Sequence, residues 1–341
     1  MISLIIKNEQ SLKKWNSFKK KKLSFYSLIA ILVMCFFSFT AEFWANSKPL
    51  YLNYKGDSYF PFLVEYSAKD FGIKDAIIVD YKNLELSKND SVIWPLVKWD
   101  PYESNKLVDD YPAPPSSTNL MGTDDRGRDV FTRLLYGLRY SIIFAVFVWL
   151  ITFTIGTLIG SFQGFMGGWV DLIGQRLTEI LSTVPQLFLL IILVAIFEPN
   201  LFLLIIINSI FGWIPISYYM RAEFLKNRKL DYVESAKALG VSKTKIFFKH
   251  ILPNSLAPII TFSPFAIVGN ISALAALDYL GFGLVPPTPS WGELLAQSQN
   301  NFLIGWWITL YTFLALVTVL ILLSLVGDGV RDVMDPKKRE A

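Results

Sequence analysis

The sequence predicts an all-α membrane protein with six transmembrane helices and a small α/β or partly β extracytoplasmic insert. Three observations carry that expectation. Apolar residues make up 53% of the 341-residue chain and charged residues 18%, with a mean hydropathy of +0.42, whereas soluble domains hold roughly 25% charged residues. The apolar residues cluster, because stretches free of Asp, Glu, Lys and Arg fall at 23–41, 140–170, 180–197, 199–220, 251–277 and 294–327. About 20 apolar residues cross a bilayer as a helix. Basic residues are also distributed unevenly around those stretches. Together these features exclude a soluble enzyme, a secreted disulfide scaffold and a nucleic-acid-binding domain.

Residues 1–22 form a basic tail in which seven Lys stand against one acid, Glu9, and positive charge beside a first span holds that end in the cytoplasm. The first transmembrane helix is expected over 23–45. Its run is long and aromatic and leads into Glu42-Phe43-Trp44-Ala45 without a clean small-x-small cleavage site, so an uncleaved anchor is expected. Residues 46–137 form the extracytoplasmic segment, mixed in charge and rich in aromatics. DAIIVDY and SVIWPLVKW have strand length and pattern. Pro112, Pro114 and Pro115, followed by Ser116, Ser117 and Thr118, suggest an extended linker into the second span.

The membrane core is expected over 138–330, and its connections test the orientation. Those near Glu198 and at 281–304 contain no Lys or Arg, while the alternate ones hold Arg176 and then eight basic residues between 221 and 249. The tail 331–341 adds Arg331, Lys337, Lys338 and Arg339. Both termini are therefore expected in the cytoplasm. Gly156, Gly160, Gly164 and Gly168 recur every four residues, which lets a neighbouring helix approach closely. Pro185, Pro215, Pro258 and Pro264 lie in or beside spans, where they kink helices.

Several chemistries are missing. No Asp, Glu, Lys or Arg lies inside a charge-free run, whereas ion-coupled transporters keep such groups for function. Asp278 and Glu42 are expected as solvated carboxylates at the membrane boundary. The chain has no GxxxxGK[ST] loop for phosphates and no Ser/His/Asp triad, since its single His lies in a basic loop. One Cys and one His cannot build a disulfide or a His-based metal site, so no metal, catalytic residue or cofactor is expected on this chain.

The most informative segment is the loop 221–255. Asp231 is expected to cap a short helix running to about Leu239, and Gly240 to end it. Tyr232, Ala236 and Leu239, at i, i+4 and i+7, would give the helix one apolar face. Spacing alone leaves two readings open: a helix seated in a partner's groove, or one lying on anionic lipid.

Glu234-Ser235-Ala236, then Gly240, then nine residues on His250-Ile251-Leu252-Pro253, resembles the EAA coupling motif of ABC importer permeases. Ser235 replaces an Ala of the motif and His250 an Ile. GTDDRGRDVFTRLLYG (Gly122 to Gly137, with Asp124, Gly127, Arg128 and Asp129), GFGLVPPTPSWGELL (with Pro286, Pro287 and Trp291) and GDGVRDVMDPKKR resemble the dipeptide/oligopeptide C-subunit type. The resemblance covers about 120 through 339. The segment Ala45 to Gly72 resembles the Yej-type permease E subunit, a system that imports oligopeptides and, in some bacteria, microcin C.

The resemblance implies a type I ABC importer permease core in the bacterial inner membrane, multi-pass, with an oligopeptide or microcin C-like cargo. It implies a second homologous permease, two ATP-binding domains or one fused ATPase chain, and a periplasmic peptide-binding protein. ATP and Mg2+ would sit on the ATPase partners. Asp231, Tyr232, Glu234, Ser235, Ala236, Leu239, Gly240, His250, Leu252 and Pro253 would couple the ATPases to the spans. The acids and arginines of GTDDRGRD are expected to pair with one another at the helix entrance. PPTPSWGE is expected to form a stiff turn plugging the outer vestibule, with Trp291 as an interfacial aromatic. Asp171, Arg176 and Glu179 are expected to lie on an amphipathic scaffold for the coupling loop. A permease for nickel or oligosaccharide, and an ion-coupled secondary peptide transporter, are the competing assignments.

Overall fold

The computed structural model describes residues 9–73 and 79–334. Two helices open the chain, α1 (Glu9–Lys20) and α2 (Lys22–Phe39), followed by the short α3 (Ala41–Trp44). Three strands then form one antiparallel sheet in the order β2-β1-β3, with β1 at Tyr51–Tyr54, β2 at Asp57–Tyr59 and β3 at Ser91–Ile93. Asn53 faces Ser58 on one side and Ser91 on the other. Leu52, Tyr54, Ala68, Phe71 and Val79 form the small core of this insert. Within SVIWPLVKW only Ser91–Ile93 is a strand, and Pro95 cannot extend the ladder because it lacks an N–H. Most of the expected DAIIVDY strand, residues 75–78, lies outside the described residues.

The segment before the second span is not an extended linker. Pro112 and Ala113 are buried, and Ala113 exchanges hydrogen bonds with Thr123, its N–H to Thr123 Oγ1 at 2.8 Å and its carbonyl from Thr123 N–H at 2.9 Å. Buried backbone groups need such partners, so Pro112 and Ala113 fold back onto the bundle while Pro114 stays exposed.

Six further helices follow without a strand between them: α4 (Val130–Met166), α5 (Gly168–Ser182), α6 (Gln186–Ile196), α7 (Leu201–Gly212), α8 (Ile214–Asn227) and α9 (Asp231–Ala238). The short α10 (Lys243–Lys245), a π-helical stretch at Ile246–Ile251 and a 3-10 turn at Leu252–Ser255 lead to α11 (Ala257–Tyr279), α12 (Trp291–Asn300) and α13 (Trp306–Met334). Helices α2, α4, α11 and α13 are each long and apolar enough to cross a membrane. The pairs α5 with α6, bent by 65°, and α7 with α8, bent by 41°, bring the number to as many as six if each pair is one span. Pro185 and Pro215 stand at those two bends, where a proline removes a helical donor.

Two of the differences between helix boundaries and charge-free runs have readable local causes. Helix α4 begins at Val130, ahead of 138, because Asp129 caps it by accepting from Thr132 N–H at 2.8 Å. The run 294–327 holds two elements, since α12 ends at Asn300 and the span α13 starts only at Trp306. A charge-free run reports local polarity, and the Asn301–Gly305 turn contributes no charge to mark the break.

Helix α4, 37 residues long and so about 55 Å at 1.5 Å per residue, joins the two ends of the bundle. At the insert end, Ser38 Oγ donates to Leu135 O at 2.7 Å and Arg139 holds Glu42 at 2.7 Å. Glu42 keeps a side chain 40% exposed, as a solvated carboxylate would, and is in addition an ion-pair partner. At the loop end, Lys21 pairs with Asp332. Helices α4 and α8 touch along the glycine stripe. A Cβ at Gly156, Gly160 or Gly164 would collide with the backbone of Trp213, Ser217 or Arg221 respectively. The fourth member, Gly168, has open space around it and starts α5 instead, so the stripe ends at Gly164. Leu32, Phe36, Leu158, Phe162, Ile180 and Phe202 point outward and are exposed, an apolar surface far beyond what a water-soluble monomer presents.

Candidate functional site

Helix α9 follows α8 after three residues, Arg228, Lys229 and Leu230. Its first residue is Asp231 and the flanking cap position is Leu230, with no side-chain cap bond. Asp231 is therefore inside the first turn, where its charge favours the helix dipole, and it does not cap the helix. Gly240 ends α9 with φ +76, a left-handed conformation that strains any residue carrying a Cβ. Its N–H donates to Lys237 O at 3.0 Å and Val241 N–H to Ala236 O at 3.1 Å. No atom lies within 4 Å of a Cβ placed on Gly240, so the demand there is conformational and not steric.

The buried face of α9 differs from the expected one. Val233 and Ala236 are buried against Ile216, Met220, Phe224, Ile246 and Ile251. Tyr232 is 39% and Leu239 82% exposed, and Glu234, Ser235 and Lys237 are exposed with them. Glu234 pairs with Lys237 at 2.7 Å in solvent, a contact of little energetic weight. Residues Tyr232, Ser235 and Leu239 lie three and four apart, so they share the outward face.

The return path anchors α9 from below. Phe247 packs on Phe165 at 5.2 Å and on Phe224 at 5.0 Å between ring centres. His250 is half-buried and its carbonyl accepts from Asn254 Nδ2 at 2.8 Å. Leu252 is half-buried and Pro253 exposed. Ser255 Oγ accepts from Asn227 Nδ2 at 2.8 Å, closing the loop onto the end of α8. Arg228 Nη1 donates to Gly164 O at 3.1 Å, and Arg221 grips Asp171 through Nε and Nη2, the latter at 2.7 Å. Asp171 is thereby tied to α8, while Arg176 and Glu179 pair with each other on the exposed side of α5.

A second constellation lies at the insert end. Asp124 Oδ2 meets Arg128 Nε at 2.7 Å and Arg133 Nε at 3.4 Å. Both arginines also reach Glu293 at the start of α12, Arg128 Nη2 at 3.1 Å and Arg133 through Nη2. Arg133 further donates to the carbonyls of Pro101 at 2.9 Å and Pro287 at 3.1 Å. Arg128, Arg133 and Asp124 are 2% exposed or less. The expected internal pairing thus holds for Asp124 with Arg128 and Arg133 and extends to a fourth partner, Glu293, from the distant PPTPSWGE segment, whereas Asp129 accepts from Asn119 and Thr132 as the cap of α4. Burial pushes the carboxyls of Asp125 and Asp129 up from the usual carboxylate range, because a low-dielectric site disfavours the charged form.

Gly122 and Gly127 both have positive φ, +74 and +77. A Cβ would strike Trp307 at the first and the Tyr111 ring at the second, so these two glycines serve conformation and packing together. Trp291 is 2% exposed, and its Nε1 donates to Leu134 O at 2.9 Å. It is a core residue joining α12 to α4, and not an interfacial aromatic. Pro286 and Pro287 are exposed above it. Asp278 is also buried, accepting from Leu284 N–H at 2.6 Å and from Ser290 Oγ, which replaces the expected solvated state. Asp125, Asp278, Glu293, Gln297 and Asn300 border a cavity of about 380 Å³ at this end. Among the described residues, no group of three or more His, Cys, Asp or Glu side chains is arranged to hold a metal ion.

Residues 156–340 match the family described as binding-protein-dependent transport system inner membrane component. The chain is 41% identical over 330 residues, 95% of its own length and 96% of the relative's, to the inner membrane ABC transporter permease protein YejE of Escherichia coli strain K12. It is 37% identical over 358 residues, 96% and 93% of the two chains, to the peptidoglycan transport system permease protein YejE of Agrobacterium fabrum. It is 35% identical over 225 residues, 66% and 74% of the two chains, to the dipeptide transport system permease protein DppC of Alkalihalophilus pseudofirmus.

Proposed function

Because this chain belongs to the binding-protein-dependent transport system inner membrane components, we propose that it is the oligopeptide-conducting permease subunit of an ABC importer. It is a transport subunit and not an enzyme. Its cargo class follows the relatives named for dipeptide and oligopeptide transport, and microcin C-like peptide conjugates fall in the same class. The Agrobacterium relative, named for peptidoglycan transport, favours peptidoglycan-derived peptides as a second reading of the cargo.

In this reading each bent pair is one span, giving six, and both termini with the loop 221–255 face the cytoplasm of a bacterial cell. The insert faces outward, where a periplasmic peptide-binding protein delivers cargo. A second homologous permease completes the pathway, and two ATP-binding domains, or one fused chain, hold ATP and Mg2+ below it. Helix α9 is the coupling element. Tyr232, Ser235 and Leu239 enter the ATPase groove, and Asp231, Glu234 and Gly240 set the length and end of the helix. Val233 and Ala236 pass its displacement to α8, with His250, Leu252 and Pro253 on the return path. At the outer end Gly122, Asp124, Gly127, Arg128, Asp129, Pro286, Pro287 and Trp291 frame the gate. Alternating access follows when two arrangements of the helices are biased from both sites, with a coupling free energy that acts reciprocally.

The observation that carries this reading is an exposed helix held only by its inner face and stopped by a left-handed glycine, in a chain of this family. Its test is Gly240→Asp in the reconstituted complex. Membrane insertion should be intact while peptide-stimulated ATP hydrolysis disappears; normal stimulation would overturn the coupling role.

A further inference from the structure

The corner between α4 and α5 turns on two glycines. Gly167 and Gly168 have φ +64 and +55, a left-handed backbone that favours glycine, and α5 leaves the corner with little of its surface covered. Of its 15 residues only Asp171 and Thr178 are buried, and Thr178 Oγ1 donates inside the helix, to Gly174 O at 2.9 Å. Asp171 is thus the buried side chain that reaches out of α5. Its partner is Arg221 of α8, through Nε and, at 2.7 Å, Nη2.

A second arginine of α8 reaches the same corner. Arg228 caps the C-terminus of α8, seven residues after Arg221 and so on the same face of the helix. Its Nη1 donates to Gly164 O at 3.1 Å and to Phe165 O at 3.4 Å. Both carbonyls belong to the last turn of α4, where a cation also meets the negative end of the helix dipole. A Cβ on Gly167 would strike the Arg228 guanidinium, so the side chain lies tight against the corner. The main chain of Arg228 leads the other way. It is the first of the three residues that join α8 to α9, and its carbonyl accepts from Lys237 Nζ of α9 at 3.4 Å.

We propose that Arg221 and Arg228 are positioning residues that carry a displacement of α9 to the α4–α5 corner, Arg228 by its hold on the end of α4 and Arg221 through Asp171 on α5. The inference rests on α9 being the coupling element. The backbone contact of α4 with α8 ends at Gly164, and beyond it the two arginines form the link. An apolar contact resists separation but permits sliding, whereas a two-point guanidinium–carboxylate pair fixes both distance and orientation. A tilt of α8 therefore turns α5 with it, and with α5 the bent pair α5–α6.

The test uses the complete complex in lipid, with its ATPases and binding protein, and with Cys35→Ala and the cysteines of the other chains replaced. Spin labels are placed at two exposed sites, Lys229→Cys beside α9 and Arg176→Cys on α5, each measured against a label at Lys69→Cys in the insert. When ATP is trapped with vanadate, both distances should change in the chain with its arginines intact. In Arg221→Gln/Arg228→Gln the change at Lys229 should persist while that at Arg176 is lost. Uptake of radiolabelled trialanine per ATP hydrolysed should fall about tenfold in the same variant. Arg228→Lys, which can still donate to the two carbonyls, should keep the Arg176 change. An Arg176 label that does not respond with the arginines intact, a response that survives the double variant, or uptake and hydrolysis that fall together at a constant ratio would each overturn the proposal. Should the double variant fail to assemble, Arg221→Lys, which keeps the charge without the two-point hold, decides: a reduced Arg176 change supports the link and a full one overturns it. A Lys229 label that stays still with the arginines intact would instead overturn the reading of α9 as the coupling element.

Discussion

The two ends of α4 are held by opposite chemistry. At the insert end, Asp124, Arg128, Arg133 and Glu293 bury their charges almost completely and lock two loops and a helix to one another. At the loop end, every charged side chain of α9 is exposed and the helix is retained by Val233 and Ala236 on an apolar patch. A buried ion network is intolerant of partial change, because removing one charge strands its partner in low dielectric. An apolar footing with a polar outer face tolerates sliding and leaves its outer residues free for another surface. The first arrangement suits a frame and the second a moving contact.

Removing one charge from the frame should give the largest effect. Arg133→Met leaves Asp124 and Glu293 short of a partner and should cost about 3–5 kcal/mol, read as a large drop in the thermal unfolding midpoint of the purified protein. Arg133→Met/Glu293→Gln, which removes a matched pair, should recover much of that loss. A double variant as unstable as the single one would mean that packing of the arginine stem, and not charge, holds the frame. Next in size, Val233→Ala should loosen the footing of α9 by about 2 kcal/mol, from two lost apolar groups and the space they leave. Limited proteolysis of the loop 221–255 should then quicken without a matching change at the insert end.

Gly240→Ala places a Cβ at φ +76 and should destabilise the loop locally by about 1–2 kcal/mol, visible as faster amide exchange in α9. The smallest change in stability belongs to Leu239→Ala. A side chain 82% exposed should alter stability by no more than about 0.5 kcal/mol, yet peptide-stimulated ATP hydrolysis of the assembled complex should fall sharply. If stimulation survives Leu239→Ala, the outward face of α9 is not the contact, and the contrast between frame and moving end fails.

Much of this architecture was legible in the residues, and what was not has definite physical reasons. Long charge-free runs located the helices because membrane burial penalises charge, but they could not separate α12 from α13, since an uncharged turn breaks a helix without changing polarity. The helix after Asp231 and its stop at Gly240 were readable from spacing. Its inner face was misassigned to Tyr232 and Leu239 because an eight-residue helix carries apolar residues over a wide arc, and only the patch beneath it selects Val233. Local pairing among Asp124, Arg128 and Arg133 could be foreseen, whereas Glu293 enters from 160 residues beyond Arg133. Trp291 and Asp278 were placed at a boundary by their position in the chain; the fold of α12 over α4 and α11 buries both.

The backbone contact of α4 with α8 at Gly156, Gly160 and Gly164 has a mechanical consequence. Side chains between helices act as compliant spacers that absorb small displacements by changing rotamer. Where glycines bring two backbones together, that slack is gone, and the pair bends or tilts as one stiff beam. The beam has the ion-locked frame at one tip and the footing of α9 at the other. A push of an ångström on α9 is then conveyed along the whole beam with little loss, and a bulkier residue at Gly160 would act as a soft washer in a rigid joint.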